Sequence, residues 1–203
     1  MSFRTEEKII SPLTEIDKLK FHIFNNGGKE LYPKRKILSI YFDNSKLKMF
    51  LDSEEGCVPR KKIRVRSYPD STMEEGFNLE KKISSVEGRF KKSKKITQKE
   101  FNDICKKGLY DMDYGNCLPI IWVEYFREYY SLKNQRVTLD SEIKFKNFQS
   151  NVVNQDYENL ICEIKGDKNF NKDFFENVLP FSRSRFSKYA FGIKKLSSAN
   201  LTD

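Results

Sequence analysis

The sequence predicts an α+β domain built on antiparallel strands that are ionic on one face and apolar on the other, with helices against the apolar side. Three observations lead there. First, Lys61-Lys62-Ile63-Arg64-Val65-Arg66-Ser67-Tyr68 alternates, placing Lys62, Arg64 and Arg66 on one face and Ile63 and Val65 on the other. Second, the pattern recurs: Asn78, Glu80 and Lys82 share a face, as do Tyr125 and Arg127, then Arg136, Thr138 and Asp140, then Glu163 and Lys165. Third, helix signals are set apart from the strands, the clearest being the capping box Thr97-Gln98-Lys99-Glu100.

Three cations in a row on an enclosed face repel one another and lose hydration, so such a face needs either water or a bound anion. Two arrangements satisfy the pattern. An open antiparallel sheet turns its ionic face to solvent. A closed barrel turns it inward and lines a lumen with it.

Residues 3–10 read as a short strand with Arg4, Glu6 and Lys8 on one face, ended by Ser11-Pro12. Thr14 is placed to cap a helix reaching Phe24, which Asn25-Asn26-Gly27-Gly28 terminates. Ile37–Asp43 forms a strand and 45–51 a short helix. Gly56 and Pro59 lead into the basic strand. Residues 77–83 alternate, and a turn near Glu87-Gly88 leads into Arg89–Lys95, with lysines at 91, 92, 94 and 95. The capped helix runs from Thr97 to Lys107 and Gly108 closes it. Residues 120–130, 135–145 and 159–166 read as strands. Residues 173–179 and 184–192 read as helices.

With 203 residues, no internal repeat and no break in composition, residues 1–203 are read as a single domain. The net charge of +9 calls for a polyanionic partner. No run is long and apolar enough to span a bilayer, and Met1-Ser2-Phe3-Arg4 opens no signal peptide. The four cysteines lack CxxC spacing and a single histidine accompanies them. A zinc site and a histidine-based nucleophile are therefore disfavoured, and free thiols in a reducing cytoplasm are expected. Carboxylates interleaved with the cations argue against nucleic acid as the partner.

Several segments together carry a resemblance to a known family. These are Arg4-x-Glu6-x-Lys8, Ser39-Ile40-Tyr41-Phe42-Asp43-Asn44, Arg64-x-Arg66, Leu79-Glu80-Lys81-Lys82, Tyr125-x-Arg127, Arg136-Val137-Thr138-Leu139-Asp140, Cys162-Glu163-Ile164-Lys165 and Arg185-Phe186-Ser187-Lys188. In this order they resemble the catalytic domain of the vacuolar transporter chaperone (VTC) complex in its standalone bacterial form, within the triphosphate tunnel (CYTH-like) superfamily. The resemblance implies a closed antiparallel barrel of about eight strands with helices outside. It also implies a tunnel that holds ATP and inorganic polyphosphate, and a polymerase that moves the ATP γ-phosphate onto a growing chain with a divalent metal, Mn2+ or Mg2+.

By the same resemblance, Lys8, Arg64, Arg66, Lys82, Arg127 and Arg136 act on the transferring phosphoryl group. Lys92, Lys94, Tyr125, Arg185, Ser187 and Lys188 bind phosphate. Glu163 is the metal ligand. Glu6 is either a second ligand or a partner that holds Lys8. Two departures stand out. Lys92-x-Lys94, flanked by Lys91 and Lys95, replaces a K-x-R, which leaves open which lysines face inward. Arg4 replaces a glutamate, which weakens any two-metal triphosphatase reading. Hydrolysis of tripolyphosphate, nucleotides or RNA 5′-triphosphates is the alternative activity, and a catalytically weak polyphosphate-binding module the non-enzymatic one.

Overall fold

A computed structural model describes residues 5–69, 76–150, 152–166 and 171–199. Its strands are β1 (Thr5–Pro12), β2 (Lys29–Asp43), β3 (Arg60–Ser67), β4 (Phe77–Ser85), β5 (Gly88–Ile96), β6 (Leu109–Asp111), β7 (Gly115–Leu132), β8 (Gln135–Asn147), β9 (Val153–Asp156) and β10 (Asn159–Gly166). Its helices are α1 (Ile16–Asn25), α2 (Lys48–Glu55), α3 (Gln98–Lys107), α4 (Lys172–Val178) and α5 (Lys188–Ala199). Eight strands follow one hydrogen-bonded order, β1-β10-β8-β7-β2-β3-β4-β5, with β6 on β7 and β9 on β8. Among the described residues this path has two ends, β1 and β5. The fold is α+β on an antiparallel sheet, as the alternating pattern predicts. No helix among the described residues is long and apolar enough to cross a membrane.

The chain divides into two compact units. The first comprises Met1–Lys36, Tyr125–Ile143 and Gln155–Phe186. Here the apolar faces of β1, β8 and β10 present Ile9, Val137, Leu139, Cys162 and Ile164 to Leu19 and Ile23 of α1 and to Phe175, Val178 and Leu179. Each such side chain contributes about 1.5–3 kcal/mol on burial. Arg183 fastens the end of α4. Its Nη1 and Nη2 donate to the carbonyls of Leu179, Phe181 and Phe175, while Nε donates to Glu7 of β1 at 2.9 Å. Helix α1 begins differently from expectation. A 3-10 turn, Leu13–Glu15, precedes it, and its N-cap is Glu15 without a side-chain cap, so Thr14 does not cap the helix.

The second unit comprises Ile37–Glu124, Lys144–Asn154 and Ser187–Asp203. Ile40, Phe42, Ile63 and Val65 are buried on the apolar face of β2 and β3. Helix α5 lies close to the sheet at Gly192, where an added Cβ would stand 2.4 Å from the Phe145 ring and 2.7 Å from Ile121. The capping box on α3 forms as expected, with Thr97 Oγ1 accepting from the Glu100 amide and Glu100 from the Thr97 amide. Gly108 ends that helix at φ +78°, a conformation glycine adopts without strain. Helix α2 starts three residues later than expected. The fully buried Asp43 carboxylate accepts the amides of Met49 and Phe50, capping the helix from the end of β2. The same carboxylate accepts the hydroxyl of Tyr189 in α5 at 2.7 Å. Residues 184–187 precede α5 and are not helical.

Candidate phosphate-binding faces

In the second unit the ionic face is set by register. Arg64 lies opposite Tyr41 on β2 and Glu80 on β4, Arg66 opposite Ser39 and Asn78, and Lys62 opposite Lys82. One strand further out, Lys82 faces Lys91, Glu80 faces Ser93 and Asn78 faces Lys95. All these side chains share one side of the sheet because the period is two. Arg64 grips Glu80 through Nε at 2.7 Å and Nη2 at 2.6 Å, and its Nη1 donates to the Tyr41 hydroxyl at 3.0 Å. The Arg66 side chain, only 9% exposed, stands 4.0 Å from the same carboxylate, and Lys91 also pairs with it. Burial alone would raise the pKa of Glu80, but Arg64, Arg66 and Lys91 together bring it down to about 2. Lys62 donates to Ser187 Oγ at 2.8 Å, bringing Ser187, just before α5, to this face.

The first unit carries a second ionic face. Across β1 and β10, Lys8 lies opposite Glu163 and Glu6 opposite Lys165, while Lys165 lies opposite Arg136 on β8. Lys165 bonds Glu163 at 2.8 Å, and Lys8 stands 3.5 Å from Glu6 while donating to the Phe186 carbonyl at 2.8 Å. Arg127 is buried and bidentate to the fully buried Asp140, at 2.5 and 2.7 Å. Its guanidinium carbon stands 5.3 Å from the centre of the Tyr125 ring. Burial would lower the pKa of Arg127, but Asp140 raises it well above the usual value. Burial, the largest influence on Lys165, lowers its pKa despite Glu163.

The expected residues therefore fall into two groups, each gathered within its own unit. Glu6, Lys8, Tyr125, Arg127, Arg136 and Glu163 belong to the first, with Arg136 exposed. Arg64, Arg66, Lys82, Ser187 and Lys188 belong to the second. Arg185 is exposed in the stretch before α5, and Arg4 lies outside the described residues. Lys92 and Lys94 fall on the opposite side of β5, where Lys94 bonds Glu100 of α3 at 3.0 Å. The hairpin register gives the ionic side to Lys91 and Lys95 instead. Sequence reasoning gave no site role to Tyr41 or to the two carboxylates, Glu80 and Asp140, that hold the arginines. For the two carboxylates, alternation with the cations was the available signal. Among the described residues no group of three or more His, Cys, Asp or Glu side chains is gathered to hold a metal ion.

A family model described as the VTC domain matches residues 3–115 and 107–197. The fold is similar to that of a candidate adenylate cyclase from Bacillus halodurans, at TM-score 0.61 and 12% identity, covering 92% of this chain and 94% of that one. It is similar also to a candidate adenylyl cyclase from Hippeastrum, described as having a dominant triphosphatase activity, at TM-score 0.56 and 12% identity, covering 94% and 96%. A third similar structure, a candidate adenylate cyclase from Vibrio parahaemolyticus, has TM-score 0.56 and 10% identity over 95% and 98%. No curated protein sequence gives a significant match.

Proposed function

This chain belongs to the VTC domain family, and from that premise we propose that it is a phosphotransferase that extends inorganic polyphosphate from ATP. The supporting observation is the ionic face of the second unit, where Lys62, Arg64 and Arg66 stand in a row with Lys82 and Lys91 beside them. Arg66 is held there at 8% exposure, and a linear chain of phosphates supplies the negative charge that such a row calls for. The closed barrel, which rests on the family, and the cytoplasmic location, which rests on the four free cysteines, belong to this proposal.

The chemistry is a displacement at the γ-phosphorus. A terminal oxygen of the acceptor chain forms the new P–O bond, the bond to the β-phosphate oxygen breaks, and ADP leaves. Such a transfer depends mainly on positioning and on neutralising the equatorial oxygens. Arg64 and Arg66 suit the second task, since the planar fork meets two oxygens at once. Glu80 fixes the angle of the Arg64 fork, as Asp140 fixes that of Arg127. Within the first unit, Lys8, Arg127 and Arg136 would hold phosphate oxygens in the same way, with Tyr125 and Arg185 of that unit, and within the second Lys82, Ser187 and Lys188 would bind them. Lys91 and Lys95 take the part expected of Lys92 and Lys94.

A Mn2+ or Mg2+ ion fits the donors present. Such ions bind through one or two carboxylates and complete their shell with substrate oxygens and water. Glu163 and Glu6 offer hard oxygens on one face of β10 and β1. When bound, the ion would neutralise charge on the phosphate.

Hydrolysis of a triphosphate is supported by the activity described for the Hippeastrum protein and needs nearly the same cation set. The two differ in whether water or a phosphate oxygen attacks. Purified protein incubated with ATP and manganese, with products resolved on a gel stained for polyphosphate, separates them. A ladder of chains is the expected result. Release of orthophosphate alone would establish the hydrolase, and no turnover with retained tripolyphosphate binding would establish a binding module.

A further inference from the structure

Tyr41 is buried on β2, directly opposite Arg64, on the cationic face of the second unit. Its ring stacks on Tyr189 of α5, with centroids 5.2 Å apart and planes at 16°. Its hydroxyl accepts a hydrogen bond from Arg64 Nη1 at 3.0 Å. A phenol can accept and donate at once, and among the described residues nothing accepts the Tyr41 proton. A buried donor left unused is costly, so a site that keeps one calls for a ligand acceptor.

We propose that Tyr41 is an additional ligand-contacting residue, which takes a hydrogen bond from Arg64 and gives its own proton to an oxygen of a phosphate bound on this face. The proposal deepens the phosphate-binding reading and rests on it. The arrangement suits an anion because the donor is fixed on both sides. The Tyr189 ring holds the plane of the phenol, and the arginine that would hold a phosphate also holds the phenol oxygen. Its surroundings favour donation as well. Burial alone would raise the phenol pKa, but Arg64, Arg66 and Lys188 more than offset this and lower it. A more acidic O–H is a stronger donor to an anionic oxygen. Asp43, two residues along the same strand, holds the stacking partner in place through the Tyr189 hydroxyl.

The test is calorimetric titration of wild type and Tyr41→Phe with tripolyphosphate. The variant keeps the stacked ring and removes only the hydroxyl, so it should bind about tenfold more weakly, the loss typical of one hydrogen bond to a charged group. Its ligand-free melting temperature should stay near that of wild type. Equal affinity of the two proteins would overturn the role of Tyr41 while leaving the phosphate-binding face intact. Absence of tripolyphosphate binding in wild type would overturn that face and this inference together. A measurement on unaltered protein guards against a variant that fails to fold. With tyrosine labelled at Cζ, the Tyr41 carbon resonance should shift when tripolyphosphate is added, and a resonance that stays in place at saturation overturns the proposal.

Discussion

Replacing Glu80 with glutamine removes an anion shared by Arg64, Arg66 and Lys91 while keeping the side chain's size. Glu80 is 6% exposed, so water screens the loss poorly. Its depression from the usual 4.5 to about 2 corresponds to about 3 kcal/mol in favour of the ionised form in the folded protein. Because the folded pKa is the lower one, this contribution is fully present above pH 4.5 and is lost as the pH falls through about 2. At pH 7 the variant should therefore be less stable by about 3 kcal/mol, a drop of roughly 6–12 °C in melting temperature for a chain of this size. Thermal melts followed by circular dichroism at pH 7, 4 and 2 would measure it, with the gap between variant and wild type closing towards pH 2. A gap under about 2 °C at pH 7, or one that persists unchanged at pH 2, would refute the view that Glu80 is the counterion of these arginines.

Asp140→Asn leaves Arg127 buried without its bidentate partner, and urea denaturation should register a loss of about 3–5 kcal/mol; a loss under about 1 kcal/mol would mean that Arg127 finds water or another acceptor. Glu163→Gln should abolish stimulation by manganese while metal-free affinity for tripolyphosphate holds or rises, since one anion has left a cationic face. A joint fall in turnover and metal-free affinity would instead make Glu163 a partner of Lys165 alone.

The sequence was most legible where a local rule fixes the outcome. Thr97 and Glu100 satisfy each other within one turn, and α3 runs to Lys107 as predicted. Strand β10 keeps the predicted bounds, Asn159–Gly166, because its alternation is unbroken. The cationic face of β3 was legible for the same reason. What was hidden depends on distant partners. The start of α2 is dictated by Asp43, several residues upstream, whereas a local cap would have announced it. On β5, lysines stand on both faces, so alternation alone cannot choose between them, and only pairing with β4 assigns Lys91 and Lys95 to the ionic side. Tyr41 and Glu80 could be placed on the right face by counting, but their grip on Arg64 arises only when three strands meet. Short β6 and β9 carry too few residues for a period to emerge.

The Asp43 carboxylate also sets the phase of a helix. Turning an α-helix by one residue swings its side chains through about 100°. The Tyr189 hydroxyl meets Asp43, and Asp43 is itself fixed by the amides of Met49 and Phe50, so α5 has one angular setting against the end of β2. Lys188 and Ser187, the residues immediately before Tyr189, inherit that setting. The aim of side chains at the start of the helix is thus keyed by a carboxylate with no exposed surface of its own.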